Sequence, residues 1–241
     1  MSDVVLSWVS GSHVGAKFSH AVDILMDFDR KTHQLIAERI SHESSLIDLN
    51  RNRCVYTFLN DPRFESNSYF FFVDSDMVFL PHQFYGLYYT AKTRDLDVVA
   101  GMYFGLKNGI ITPNWYLEGG PRAYHSVPEV EGKLMELGAV AMGFTFIHRR
   151  VLEAMWEYDN FASWFTHDLV LGADGQRDSI GEDLSFCRRA REKGFKVWGD
   201  PSIGAIGHEK PVVLDLTWFL MQRNWLEAQN EKHRGSETKS R

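Results

Sequence analysis

The apolar residues of this chain fall into short continuous runs separated by segments of helical period. Val4 to Val9, Tyr69-Phe70-Phe71-Phe72-Val73, Asp97 to Phe104 and Val140 to Ile147 are runs bounded by turn residues, the pattern of strands buried on both faces. Shorter strands are expected near Leu35 to Ile40 and at Phe195 to Trp198. Between them, helical spacing covers about Ala16 to Phe28, Leu46 to Leu59, the segment after Pro81 with Phe84, Leu87, Tyr88 and Ala91 on one face, a segment from about Val151, and Gly181 to Ala190, ended by Gly194. Alternating strands and helices predict an α/β fold with a mostly parallel central sheet flanked by helices. The unit Tyr69 to Phe104 reads as β-loop-α-β, so its crossover should be right-handed and its strands parallel.

Two segments escape this rhythm. Gly105 to Glu136 has no clear period and is expected to be a functional loop or a small excursion containing a two-stranded hairpin. A second aromatic loop, Trp156 to Ile180, includes the turn Gly172-Ala173-Asp174-Gly175. Near the carboxyl end, Leu214, Trp218, Met221 and Trp225 form one stripe of an amphipathic helix from about Asp215 to Glu231. That stripe is expected to pack on the domain or against another subunit; its mixed-charge opposite face argues against membrane-surface attachment. Residues 231–241 read as a polar tail.

The chemistry concentrates where the central apolar run stops. Asp74-Ser75-Asp76 follows Val73 directly, and two carboxylates leaving the carboxyl end of a buried strand are placed to hold a divalent cation against a phosphate. Spacing alone is weak, because Asp27-Phe28-Asp29 and Asp95-Leu96-Asp97 repeat it. The first of these closes a helix, where a solvated end is expected, and the second lies in a polar turn. Asp74 and Asp76 alone have the setting of a ligand crevice, against the plain alternative of a surface turn that stops a strand. The turn after the first strand, with Ser10 and Gly11, borders the same crevice and suits a nucleotide. Arg51 and Arg53, near the start of the second helix, are candidates for a phosphate or a base edge, against simple solvation. Gly138 and Gly143 would let backbone approach a ligand, or form a bulge.

Composition narrows the classes. With 241 residues, 44% hydrophobic and 24% charged, the chain suits one large globular domain. The 14% of aromatic residues hints at a ring-stacking surface, with core packing as the plain alternative. No signal-peptide pattern and no membrane-length apolar stretch is seen, so a cytoplasmic protein without stable membrane insertion is expected. Cys54 and Cys187 are too few for a disulfide framework or a metal cluster and read as core thiols. The net charge of −6 argues mildly against broad nucleic-acid binding. A Gly-x-Gly-x-x-Gly fingerprint and a Walker Gly-Lys-Ser/Thr are both missing after the first strand, which removes support for a Rossmann dehydrogenase or a P-loop enzyme.

The order of motifs resembles the GT-A glycosyltransferases over most of residues 3 to 210. The matching pieces are Phe71-Phe72-Val73-Asp74-Ser75-Asp76, the glycine-bearing strand Gly138 to Phe144, the acidic pair Glu182-Asp183 and the late histidine His208. The block Gly-Glu-Asp-Leu-Ser-Phe-Cys at residues 181–187, followed by a Gly-Phe strand, is most similar to small family-two-like enzymes, including phage-encoded ones. The resemblance implies a GT-A domain at 1–210 with the helix and tail of 211–241 appended, and transfer of a sugar from a nucleotide-diphosphate sugar, with UDP expected, to an acceptor hydroxyl. It implies Mn²⁺ or Mg²⁺ held by Asp76 and His208, with Asp74 reaching the metal through water or the ribose, and Ser10, Gly11, Arg51, Arg53, Ser75 and Gly143 around the nucleotide. Asp183 would be the base, if configuration inverts, and Glu182 the group that orients acceptor or donor. A phage-like relative would work in the host cytoplasm, on hydroxymethylated pyrimidines in DNA, a coat protein or a glycan. The alternatives are an inactive nucleotide-sugar-binding protein and a nucleotidyltransferase, and the carboxyl-terminal helix is a candidate for homo-oligomer contacts.

Overall fold

The computed structural model describes residues 2–11, 14–107, 109–120, 123–129, 132–157, 164–171, 177–210 and 213–237. The first apolar run forms β1 (Val4–Ser10), helix α1 (Ala16–Lys31) follows, and β2 (Ile36–Glu43) returns beside β1 in parallel. Ser12 and His13, between β1 and α1, lie outside the described residues. Helix α2 (Ile47–Asn60) leads to β3 (Tyr69–Val73), all five of whose residues are buried. Next come β4 (Met77–Val78), α3 (Pro81–Thr93) with Pro81 in its first turn, and β5 (Val98–Gly101).

The aperiodic stretch after β5 holds two hairpins rather than one. They are β6 (Phe104–Lys107) with β7 (Ile110–Pro113), and β8 (Trp115–Gly120) with β9 (Ala123–Ser126). Then follow β10 (Met135–Leu137), β11 (Ala139–Val140), β12 (Phe144–His148) and α4 (Arg149–Met155). The second irregular segment forms the hairpin β13 (Asp168–Leu171) and β14 (Arg177–Ile180); the turn at 172–175 lies outside the described residues. The chain ends with α5 (Glu182–Glu192), β15 (Val197–Asp200), β16 (Gly207–Glu209), β17 (Val213–Leu214) and α6 (Leu216–Glu237).

Seven strands make the main sheet in the order β10-β15-β5-β12-β3-β1-β2. Five point one way, and β10 and β12 oppose them. Strands β3 and β5 are parallel, as their unit predicts, but β12 lies between them, antiparallel to both. The single strand expected from Val140 to Ile147 is split at Ala141-Met142-Gly143, so β11 joins β8 while β12 enters the main sheet.

The five-residue run of β3 is explained by what covers it. Phe70 and Phe72 pack with Cys54, Val55 and Phe58 of α2, while Tyr69, Phe71 and Val73 face Phe84, Leu87 and Tyr88 of α3. Each buried ring contributes on the order of 2 kcal/mol by removal from water, and no position on the strand is left for a polar residue. Trp115, Trp164 and Phe165 are also fully buried, so these aromatic residues of the irregular segments fill core rather than line a stacking surface. Cys54 and Cys187 are buried free thiols.

Two expectations fail for local reasons. Asp29 does not end α1 in solvent: it is 2% exposed and accepts hydrogen bonds from the Leu35 and Ile36 amides and from the Tyr85 hydroxyl. The chain reverses through Gln34 in the left-handed region, which turns two backbone donors inward and requires an acceptor there. In α6, the contact with the sheet is made one residue off the expected stripe. Phe219 stacks on Phe104 with ring centroids 4.9 Å apart, and Gln222 donates to the Gly109 carbonyl at 2.7 Å. One residue is a rotation of 100° on a helix, so Trp218, Met221 and Trp225 stand 47%, 60% and 60% exposed. The helix also continues to Glu237, beyond the expected start of the tail, and residues 238–241 lie outside the described residues. Among the described residues no helix is long and apolar enough to cross a membrane.

Candidate active site

Strand β3 ends in a tight turn that aims its carboxylates at one place. The Asp74 amide donates to the Gly143 carbonyl at 2.9 Å, and the Met77 amide donates to the Asp74 carbonyl at 3.0 Å. Asp74-Ser75-Asp76-Met77 is therefore a β-turn leaving the carboxyl end of a central strand. Strand β16 pairs antiparallel with β4, placing His208 opposite Met77, and the Glu209 amide donates to the Asp76 carbonyl at 2.7 Å. This short ladder brings His208 beside Asp76 across 132 positions of chain. A cleft of about 350 Å³ opens here, bordered by Ser10 and Gly11 from the end of β1, by the Asp turn, and by Glu182 and Asp183 at the start of α5.

Arg51 organises the acidic side of the cleft. Its side chain is 3% exposed and lies between the Phe72 and Phe165 rings, at 5.8 and 5.7 Å from their centroids. One terminal nitrogen donates to Asp74 Oδ1 at 2.9 Å; the other reaches Glu182 Oε1 at 3.2 Å and Asp183 Oδ1. A buried, unpaired guanidinium would be very costly, and three carboxylates grouped without a cation would repel. Together they fix one another. Burial opposes the charge on Arg51, but Asp74 and Glu182 outweigh it and raise its pKa further. Arg51 is thus buried rather than solvated, and its planar fork meets protein carboxylates. Its neighbour Asn52 is buried and accepts from the Trp164 and Phe165 amides at 3.3 and 3.0 Å, which keeps the Phe165 ring over Arg51.

Asp183 is held on both oxygens, Oδ1 by Arg51 and Oδ2 by the Met142 amide at 3.0 Å. Met142 lies in the break between β11 and β12, so this bond accounts for one backbone donor that the broken strand leaves unpaired. Glu182 turns its other oxygen, Oε2, toward His167 Nε2 at 3.4 Å. Both acids also occupy the first turn of α5, where the helix dipole favours negative charge.

Asp76 has a different environment. Oδ2 faces His208 Nε2 at 3.1 Å and Lys210 Nζ at 2.7 Å, while Oδ1 is buried with no hydrogen-bond partner among the described residues. Burial works against its charge, yet His208 and Lys210 hold its pKa down to about 2. His208 Nδ1 lies 2.7 Å from the Phe104 carbonyl. A carbonyl only accepts, so Nδ1 carries a proton there, and Nε2 is the ring nitrogen that faces the carboxylate. A histidine whose far nitrogen is tied to a backbone carbonyl is also the usual arrangement of a metal-binding imidazole. The donor set of one carboxylate with one imidazole therefore fits a divalent ion that completes its sphere with water and phosphate. Among the described residues no three His, Cys, Asp or Glu side chains converge into a full protein cage. Asp74 is turned to Arg51 instead.

Of the residues singled out from sequence, nine border the cleft: Ser10, Gly11, Arg51, Asp74, Ser75 and Asp76, with Glu182, Asp183 and His208. Arg53 does not. Two positions along a helix face apart, and Arg53 is exposed where Arg51 is buried. Gly143 is not part of the lining either. A Cβ there would come within 2.6 Å of the Tyr103 hydroxyl oxygen, so its role is to admit Tyr103. Gly138 likewise meets protein, with the Glu118 backbone nitrogen 2.7 Å from a Cβ placed on it.

Three polar lining residues were not singled out from the sequence: Tyr103, Asn114 and Lys210. Tyr103 is buried, its hydroxyl accepts from the Gly143 amide at 3.0 Å, and its ring stands edge-on to His208 at 5.3 Å. Burial, reinforced by Asp74, raises its pKa well above the usual value, so it is a neutral donor. Asn114 and Lys210 also line the cleft, with the apolar Val9 and Ile47. Lys210, two residues beyond His208, was the one within reach of a sequence argument.

No protein-family model matches the chain, and no curated protein matches its sequence. Solved structures do match in shape. A197 from STIV aligns over 86% of each chain with a TM-score of 0.55 and 19% identity. GalNAc-T7, solved with UDP, GalNAc and Mn²⁺, aligns over 90% of this chain with a TM-score of 0.54 and 10% identity. The alignment spans 45% of the GalNAc-T7 chain, less than half of its length. A glycosyltransferase involved in the glycosylation of the major capsid of PBCV-1 aligns over 62% of each chain, with a TM-score of 0.35 and 13% identity. At such identities the likeness is one of architecture: the chain has a GT-A-like fold, with its acidic cleft at the carboxyl edge of the parallel strands.

Proposed function

We propose that this protein is a metal-dependent glycosyltransferase that moves a sugar from a nucleotide-diphosphate sugar, with UDP as the favoured nucleotide, to an acceptor hydroxyl. The observation that carries the reading is the pairing of Asp76 and His208: a buried carboxylate oxygen without a partner among the described residues, beside an imidazole whose far nitrogen is tied to a backbone carbonyl and whose Nε2 faces the same carboxylate. The GT-A-like fold and the neighbour solved with UDP and Mn²⁺ support it. Residues 1–210 would carry the transferase, and the helix from residue 216 would be an appendage.

Asp76 and His208 would hold Mn²⁺ or Mg²⁺, with Asp74 contributing through water or a ribose hydroxyl. When bound, the cation supplies charge neutralisation for the departing diphosphate. The loop at Ser10 and Gly11 borders the cleft where the nucleotide would lie. Asp183 would accept the proton of the acceptor hydroxyl. Its Oδ2 accepts one bond, from Met142, and a carboxylate oxygen has a second lone pair to offer. Arg51 and the Met142 amide fix the direction of that lone pair, which is the geometric requirement for a base. Glu182 would orient the sugar or the acceptor. Arg51, the buried cation of the cleft, is already committed to carboxylates and the chain carries −6, so a glycan or protein hydroxyl is favoured over DNA.

The test is incubation with Mn²⁺ and a panel of nucleotide sugars, following released nucleoside diphosphate with and without glycan, protein or hydroxymethylated DNA acceptors. Asp76→Asn should abolish metal-dependent binding of nucleoside diphosphate. Asp183→Asn should keep binding and lose turnover. Unchanged transfer in either variant rejects the corresponding role. Release of pyrophosphate would instead establish a nucleotidyltransferase, and ligand-induced stabilisation without release a binding protein.

A further inference from the structure

Two basic side chains among the described residues of the cleft differ in setting, Arg51 being buried and Lys210 partly exposed. Arg51 is buried between two rings and bonded to carboxylates on two different elements. Lys210 follows β16, has a side chain 40% exposed, and reaches into the cleft to place Nζ 2.7 Å from Asp76 Oδ2. It therefore stands on the carboxylate that a divalent ion shared with His208 would use. An ammonium and a divalent cation on one carboxylate repel at contact distance. The other acids of the cleft, Asp74, Glu182 and Asp183, are engaged by Arg51. A lysine displaced from Asp76 thus meets only carboxylates already paired with Arg51, whereas the phosphates of a donor would lie within the sweep of its flexible four-carbon stem.

We infer that Lys210 is an exchangeable counter-ion of the site, neutralising Asp76 when the divalent cation is absent and transferring to the diphosphate of the donor when it is present. The inference rests on the reading of the cleft as a nucleotide-diphosphate site. It gives Lys210 two linked effects. It competes with the metal in the empty protein, and it binds the leaving group in the loaded one. No bond is made or broken by the lysine; it exchanges one ion pair for another.

The experiment measures Mn²⁺ affinity of the full chain without nucleotide, and UDP affinity at saturating Mn²⁺, by calorimetry. In Lys210→Met, Mn²⁺ alone should bind about threefold to fivefold more tightly, the competition of a partly exposed ion pair. UDP should bind about tenfold more weakly, the loss of a charge-assisted phosphate contact. Lys17→Met is the control, because Lys17 pairs with Glu209 beside the same ladder at 3.0 Å. It should leave both affinities unchanged. Weaker Mn²⁺ binding in Lys210→Met, unchanged UDP binding, or equal shifts in Lys17→Met would each overturn the exchange. A wild-type protein that binds neither Mn²⁺ nor UDP would instead overturn the underlying reading of the cleft.

Discussion

Replacing Arg51 by methionine tests whether the acidic cleft is held by one side chain. Methionine retains much of the stem that packs between Phe72 and Phe165, so the change removes charge more than volume. Removing one partner of a buried ion pair costs about 3–5 kcal/mol, because the remaining charge is left without compensation. Here the abandoned groups are carboxylates with side chains 29%, 19% and 15% exposed, so water recovers part of their solvation. The lower end of that range, about 3 kcal/mol, is the reasoned value. For a chain of this size it corresponds to a loss of about 6–12 °C in melting temperature. Arg51→Lys keeps a charge but cannot span three carboxylates with one planar fork, and should fall between wild type and Arg51→Met. Adding Asp183→Asn to Arg51→Met removes one of the repelling charges and should restore part of the stability. The assay is thermal unfolding by circular dichroism at low ionic strength. A methionine variant melting within about 2 °C of wild type, less than 1 kcal/mol at this size, would refute the hub.

Other changes probe the frame around the cleft. Gly143→Ala puts a Cβ within 2.6 Å of the buried Tyr103 hydroxyl oxygen, and should cost about 1–3 kcal/mol by overpacking, seen as a lower denaturant midpoint with an unchanged slope. His148 caps α4 by accepting the Arg150 amide on Nδ1 at 3.1 Å, and burial, then Arg150, lower its pKa from 6.5. The unfolded state therefore binds more protons just below pH 6.5, so this contribution is complete above that pH and is lost as pH falls through the folded value. His148→Asn keeps a capping acceptor without the titration, so its melting temperature should decline less than that of wild type between about pH 7.5 and 5.5. Parallel declines would exclude His148 as a source; His42, also lowered by burial and by Arg53, leaves a residual slope in both.

Much of the local structure was legible because it follows from short-range rules. Strand β3 is an unbroken apolar run, and Pro81 opens its helix where a missing amide does no harm. The Asp turn was distinguishable from two identical spacings by the strand before it. What misled was any inference from one residue's polarity. Asp29 looked like a helix end in solvent, but is the acceptor for a reversed chain. Arg51 and Arg53 looked equivalent, yet the helix turns them to opposite environments. The stripe of α6 looked like its buried face, while Phe219 and Gln222 make the contact.

The sequence by itself determined the α/β alternation, the burial of the central strand on both faces, and the position of the carboxylate pair at its end, since these depend on neighbours a few residues apart. Only the tertiary structure decided which charges meet. Arg51 lies 131 positions from Glu182, and His208 lies 132 from Asp76. Ion pairs act through space and leave no periodic mark on the chain. The antiparallel insertion of β12 between β3 and β5 had the same origin, because strand order is settled by packing of whole faces rather than by any local pattern.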